Sequence, residues 1–292
     1  MSAAEITMRN PLLVLLWTFG LFLFMHFHQY IGALWVARRA GLTFDAVMKG
    51  KAESPTTLLI QGAAALLFGV PLAWVAATVL WRRPMAWMGL TFDGTWLLAG
   101  IGLGIALPLL VVFILKLSGQ ASISRPHRTL GRRERTTTLA AIACMALFTG
   151  FAEEIVFRAM AARELSVAMG WPLAVLVSGA YFGFVHLIGQ IKTLTASKAA
   201  TILVASVAVS FMFVAMYVRS GSLWLPIGFH AAWNFSLVGV LGLPMSGRRT
   251  EGGLLQTTLT GRPWLTGGEV GVEASVVALA AYALVGLLFV LL

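Results

Sequence analysis

Eight runs of the chain contain no lysine, arginine, aspartate or glutamate: 10–37, 54–81, 94–115, 136–152, 165–191, 199–218, 220–247 and 274–292. They are continuously apolar rather than alternating, and roughly 20 such residues carry a helix across a bilayer. The fourth run is only 17 residues long. Past Glu153 and Glu154, however, the apolar pattern resumes at Ile155 and continues to about residue 162, so one helix over 137–167 is predicted with its charges inside it. Strands of an outer-membrane barrel would instead alternate apolar and polar over about ten residues. The fold class read from the pattern is therefore all-α: a polytopic membrane protein, a bundle of about eight transmembrane helices. Residues 1–292 form a single integral membrane domain with the chemistry concentrated in 138–242.

Composition strengthens this picture. Only 11% of the 292 residues are charged and 59% are hydrophobic, with a mean hydropathy of +0.88, which excludes an ordinary soluble globule. The first apolar run is too long for a signal peptide and is followed by Arg38 and Arg39 with only Arg9 before it, so it reads as a retained helix. Loops after odd-numbered spans hold fifteen of the 21 basic residues. The positive-inside rule then places those loops in the cytoplasm and both termini outside, with Arg82 and Arg83 dissenting. This bias and contact with anionic headgroups account for the net charge of +10, so the lipid bilayer is an expected partner and nucleic acid is not. The single Cys144 excludes an intramolecular disulfide framework. The longest loop, 243–273, is Gly- and Thr-rich and expected to be flexible. GLTFD occurs at 41–45 and 89–93, each time at a span boundary, as chance or an interfacial turn.

Of eleven acidic residues, nine fall in loops or at helix ends, and only Glu153 and Glu154 lie deep inside a span. A charge near the bilayer centre costs at least about 2.5–3.5 kcal/mol, so such groups are paired or functional. Arg158, one turn after Glu154, supplies a pairing partner. Glu153 is turned about 100° away and cannot share it. If both acids only bind Arg158 and nearby hydroxyls, the cluster is structural glue. His186 and His230 favour a functional reading, because each lies inside a span, in YFGFVHL and GFHAAWNF. Asn234 shares the face of His230, and Phe182 that of His186, each pair four residues apart.

Depth tests whether these groups meet. Glu153 lies about 16 residues before a turn at 169–172, and His186 about as far after it, so both sit roughly 24 Å from the hairpin tip. His230 is only about 9 residues, roughly 13 Å, beyond its own turn at Ser220-Gly221, an offset that demands tilt or a longer helix. A desolvated glutamate beside a cation can act as general base toward water, with His186 sharing the proton or orienting the water. His230 and Asn234 offer donors to a developing oxyanion. HExxH and GxSG are absent, the two aspartates, Asp45 and Asp93, lie at span ends, and Cys144 is about 13 Å from Glu153 along the helix. No cofactor is expected, although Glu153, His186 and His230 are ligand types that suit zinc.

The three blocks EEIVFR (153–158), FGFVH (182–186) and HAAWN (230–234), each in its own apolar run, resemble the EExxxR, FxxxH and HxxxN motifs of the CPBP intramembrane proteases, which include type II CAAX prenyl endopeptidases and bacterial Abi proteins. The resemblance covers about 138–242. It implies eight helices around a conical cavity open to the cytosol, in a bacterial or archaeal plasma membrane. Glu153 and His186 would activate water, Glu154 and Arg158 would brace them, and His230 with Asn234 would form the oxyanion hole. The family has also been labelled metalloprotease. The expected substrate is a membrane-associated peptide or protein, prenylated or bearing a leader or sorting signal. The alternative from a different class is a transporter or bacteriocin-immunity protein that uses the Glu/His cluster as a proton or ligand site.

Overall fold

The computed structural model describes residues 10–39, 41, 59, 62–75, 78–79, 82–126, 130–246 and 252–292, and it is mostly helical. The part of the second predicted span over 54–58, and residues 42–45 of the first GLTFD, lie outside them. In chain order come α1 (Pro11–Arg39), α2 (Val70–Val75), α3 (Gly94–Leu117), α4 (Arg132–Glu154), α5 (Arg163–Ile188), α6 (Ala196–Ser220), α7 (Trp224–Phe235), α8 (Pro263–Thr266) and α9 (Val276–Leu291). Among the described residues, three helical runs are long and apolar enough to cross a membrane: Gly94–Leu117, Arg132–Ile188 and Ala196–Ser220.

The second of these runs is 57 residues long, roughly 85 Å as a straight helix and far more than one crossing needs. It folds back at Gly170, whose φ of 76° and ψ of 160° suit a glycine and break the helix just before Pro172. Phe157 on the incoming arm then packs edge-on against Phe182 on the returning arm, with centroids 4.8 Å apart, and lies 5.3 Å from Tyr181. The turn predicted at 169–172 is thus present.

Helix geometry also changes where the charges sit. Directly after Glu154 the chain widens into a π-helix over Ile155–Ala162, and a second π segment, Ser236–Val240, follows α7. Both border the polar cluster, which is where such wide turns concentrate.

Small residues let the helices around the polar cluster touch backbone to backbone. A Cβ on Gly100 or Gly104 of α3 would lie 2.2 Å from the Leu225 oxygen or 2.3 Å from the Phe229 oxygen of α7. On the other side of α7, Gly150 of α4 abuts Ala231, where an added Cβ would come within 2.9 Å of its amide nitrogen. In lipid, close packing of this kind replaces hydrophobic collapse as the glue between helices. Its consequence here is positional: α7 is clamped between α3 and α4, with His230 and Asn234 beside the glutamates.

Loop 243–273 is not a floppy connector over its described part, contrary to its composition. Strand β2 (Gln256–Leu259) pairs antiparallel with β1 (Ala121–Ser124), Ala121 opposite Leu259 and Ser124 opposite Gln256. The ladder satisfies backbone groups that would otherwise need water, and α8 and a 3-10 turn at Val272–Ala274 follow it. Val270 and Val272 are buried behind it. The second GLTFD forms the entry turn of α3, where the Asp93 side chain accepts hydrogen bonds from the Thr95 and Trp96 amides. One dissenting arginine also finds a partner: Arg83 Nε donates to Glu164 Oε1 at 2.9 Å, and Glu164 is buried rather than a free helix-end acid.

Candidate active site

Four helical segments supply the polar groups, and each side chain is placed by its helix register. Glu153 and Glu154 end α4, and Arg158 follows on the π segment. Glu154 is wholly buried, and its Oε1 accepts both from Arg158 Nη1 at 3.1 Å and from His230 Nδ1 at 2.7 Å. Arg158 also donates Nη2 to Ser210 Oγ at 3.2 Å. Its guanidinium lies 4.6 Å from the ring centres of both Phe182 and Phe213, a cation sandwiched between two π faces. The opposite charges are thus paired in a place where a lone ion would be costly, although Glu154 Oε2 is buried without a hydrogen-bond partner among the described residues.

Glu153 has a different surrounding. It is 9% exposed and lines a cavity of about 680 Å³ together with Phe182, His186, His230 and Asn234. Its Oε2 lies 3.9 Å from His230 Nε2. One imidazole therefore stands between two carboxylates, hydrogen-bonded to the buried one and near the one facing the cavity. The ring of His230 stacks on Phe213, with centroids 5.4 Å apart and planes 21° apart.

Two ring tautomers follow from the partners. His186 Nδ1 lies 2.9 Å from the carbonyl oxygen of Phe182; a carbonyl only accepts, so Nδ1 carries the proton and Nε2 keeps its lone pair. The Phe182 ring packs 4.4 Å from the imidazole, as their spacing predicts. In His230 the Nδ1–H is donated to Glu154, so Nε2 is an acceptor until the ring takes up a second proton. Asn234 donates one Nδ2 hydrogen to Thr149 Oγ1 at 3.0 Å and retains a second.

The arrangement differs from the sequence expectation in partners more than in membership. His186 was expected to pair with Glu153, but the imidazole beside Glu153 is that of His230, and His186 is anchored to its own helix. His230 was read as sharing a helix face with Asn234 and offering a donor beside it; in the structure its ring stands between the two glutamates. The depth offset assigned to it does not keep it from the glutamates, which its ring nitrogens approach to 2.7 and 3.9 Å. Just after the exposed Gly221, Leu223 is fully buried and its amide donates to the Gly89 oxygen at 2.8 Å.

Sequence reasoning also missed Thr149, Ser210, Phe213 and Glu273. Thr149 and Ser210 carry small hydroxyls in apolar runs, with no signal apart from their partners. Glu273 was counted among loop acids, yet it lines the same cavity.

Residues 135–236 match the family model described as type II CAAX prenyl endopeptidase Rce1-like. That segment is similar to the CPBP family of CAAX-type proteases. No curated protein matches it. The CPBP segment begins at the foot of α4 and ends just after α7, so it contains Glu153, Glu154, Arg158, Phe182, His186, His230 and Asn234 and leaves Glu273 outside. CPBP proteins of this type are membrane proteases, so the match points in general to a hydrolase of peptide bonds and an integral membrane protein.

Glu153, His186 and His230 are ligand types that suit zinc, although no cofactor is expected from the sequence. Among the described residues no three His, Cys, Asp or Glu side chains converge as a ligand set. His230 Nδ1 is committed to Glu154 and His186 Nδ1 to a carbonyl.

Proposed function

We propose that the protein is an intramembrane endopeptidase that cuts membrane-associated peptides with water activated by Glu153. The observation that carries this reading is the contrast between adjacent glutamates: Glu154 is sealed and paired, while Glu153 faces a cavity bordered by two imidazoles and an amide. A carboxylate so placed takes a proton from water, while His186 Nε2 accepts the second hydrogen and fixes the lone pair toward the scissile carbonyl. Attack converts that carbonyl into a tetrahedral oxyanion. The free Nδ2 hydrogen of Asn234 stabilises it, as does the Nε2–H of His230 when that ring is protonated between the two acids. Glu153 then returns its proton to the leaving amine as the C–N bond breaks.

Glu154 and Arg158 hold His230 and thereby the geometry. The helices form a bundle of eight spans, with the cavity opening to the cytosol and the substrate reaching it from the membrane plane. A prenylated tail or a leader- or sorting-signal peptide fits the largely apolar lining. The test is hydrolysis of a lipid-anchored peptide by purified protein in detergent, compared with Glu153→Gln and His186→Ala proteins of verified fold. Activity confined to the unmodified chain is expected, and full activity in both variants overturns the reading.

A further inference from the structure

The cavity holds a second carboxylate that the hydrolytic step does not use. Glu273 sits in the 3-10 turn Val272–Ala274, and its Oε1 accepts the Ser246 amide at 2.6 Å. The Ser246 oxygen in turn accepts Gln190 Nε2 at 2.8 Å, so the loop ahead of α9 is tied to the end of α5. Glu273 Oε2 is buried and has no hydrogen-bond partner among the described residues. A carboxylate oxygen left bare behind protein costs free energy unless something fills the gap.

The surroundings define what could fill it. Among the described residues neither lysine nor arginine lines the cavity; apart from Glu153, Glu273 and the two histidines, its described walls are apolar or carry neutral groups such as Gln190, Ser246 and Tyr282. Room for the carboxylate is kept by Gly271, since a Cβ there would fall 2.3 Å from Glu273 Oε2. Burial raises the Glu273 carboxyl to about 7, against the Ser246 and Glu273 amides, which favour the ionised form. A cation arriving beside it would supply the missing partner and hold it ionised.

We infer that Glu273 is a specificity residue that binds a cationic side chain of the substrate, a lysine ammonium or arginine guanidinium, at the loop-side end of the catalytic cavity. Gln190, to which this end is tied, is four residues beyond His186, roughly 6 Å along the helix direction. With extended peptide advancing about 3.3–3.6 Å per residue, the cation belongs within roughly four residues of the scissile bond. The inference rests on the peptidase reading only in taking a peptide as the ligand.

The experiment measures binding without turnover. Full-length Glu153→Gln protein in detergent is titrated with lipid-anchored peptides that carry either lysine or its neutral isostere norleucine at each of the four positions on either side of the central peptide bond. Lysine at one position is expected to tighten Kd about tenfold over norleucine. That advantage should vanish in Glu153→Gln/Glu273→Gln protein and survive in part in Glu153→Gln/Glu273→Asp protein. Unfolding at pH 5, where the native side chain is protonated and glutamine mimics it, verifies the fold. A lysine advantage that persists without Glu273 overturns the assignment, as does its absence in the parent, including binding of no peptide at all. Failure of wild-type protein to hydrolyse peptides leaves this readout intact, so the two readings fail separately.

Discussion

His230 donates its Nδ1–H to Glu154 Oε1 across 2.7 Å, joining α7 to α4 through an acid that already holds Arg158. Removing that acid deprives buried Arg158 of its ion-pair partner and leaves it Ser210, two aromatic faces and the charge of Glu153 farther off. Glu154→Gln should therefore destabilise the fold by about 3–5 kcal/mol, the usual cost of breaking a buried pair from one side. Denaturant unfolding in detergent measures it. Glu154→Gln/Arg158→Met should recover part of the stability but not the peptidase activity, because the ring of His230 is then no longer oriented.

Thr149 gives a gentler test of the oxyanion site. Its hydroxyl accepts the Asn234 amide hydrogen at 3.0 Å, fixing which way the amide faces. Thr149→Val keeps the shape and removes the acceptor. Peptide hydrolysis should lose about tenfold in kcat with KM little changed, since one misaligned donor costs part of the roughly 3 kcal/mol that a deleted one does. An equal rise in KM would point to a substrate-binding role instead.

What the amino-acid pattern disclosed, and what it hid, divides along a physical line. The Glu154–Arg158 pair, the packing of Phe182 on His186 and the fold-back at Gly170 depend on spacing within one helix or on one backbone-permissive residue, and all three were readable. The partner exchange at His230 depends on how α4 slides against α7, which is set where Gly150 meets Ala231, and no periodicity encodes that register. The π segment after Glu154 carries no breaker residue to announce it. The β1–β2 pairing joins stretches more than a hundred residues apart and Glu273 reaches back 27 residues to Ser246, and a Gly- and Thr-rich composition conceals both.

Stability should depend on pH through Glu273. Its carboxyl titrates near 4.5 when unfolded and at about 7 in the fold, so between those values the folded chain binds more protons than the unfolded one. Stability is then greatest below pH 4.5 for this group and falls as pH rises toward 7, by about 3 kcal/mol in total. Thermal unfolding of wild-type and Glu273→Gln protein from pH 4.5 to 8 should show the decline in the first and a flatter profile in the second. Parallel profiles would mean that another group is responsible.

Metal dependence can be read directly. Hydrolysis by Glu153 and His186 predicts that activity survives prolonged treatment with EDTA or phenanthroline and that active protein carries well under one equivalent of zinc by elemental analysis. Loss on chelation with recovery on adding zinc would assign the activation of water to a metal at Glu153 and the histidines.

The pairing of Glu154 with Arg158 on one continuous helical stretch bears on how the protein is made. Opposite charges four residues apart can neutralise each other before any other helix arrives, so this segment enters the bilayer as a dipole rather than as separate ions. His230 joins the pair when α7 docks. Biogenesis therefore never requires an isolated charge of this triad to wait in hydrocarbon for its counterion.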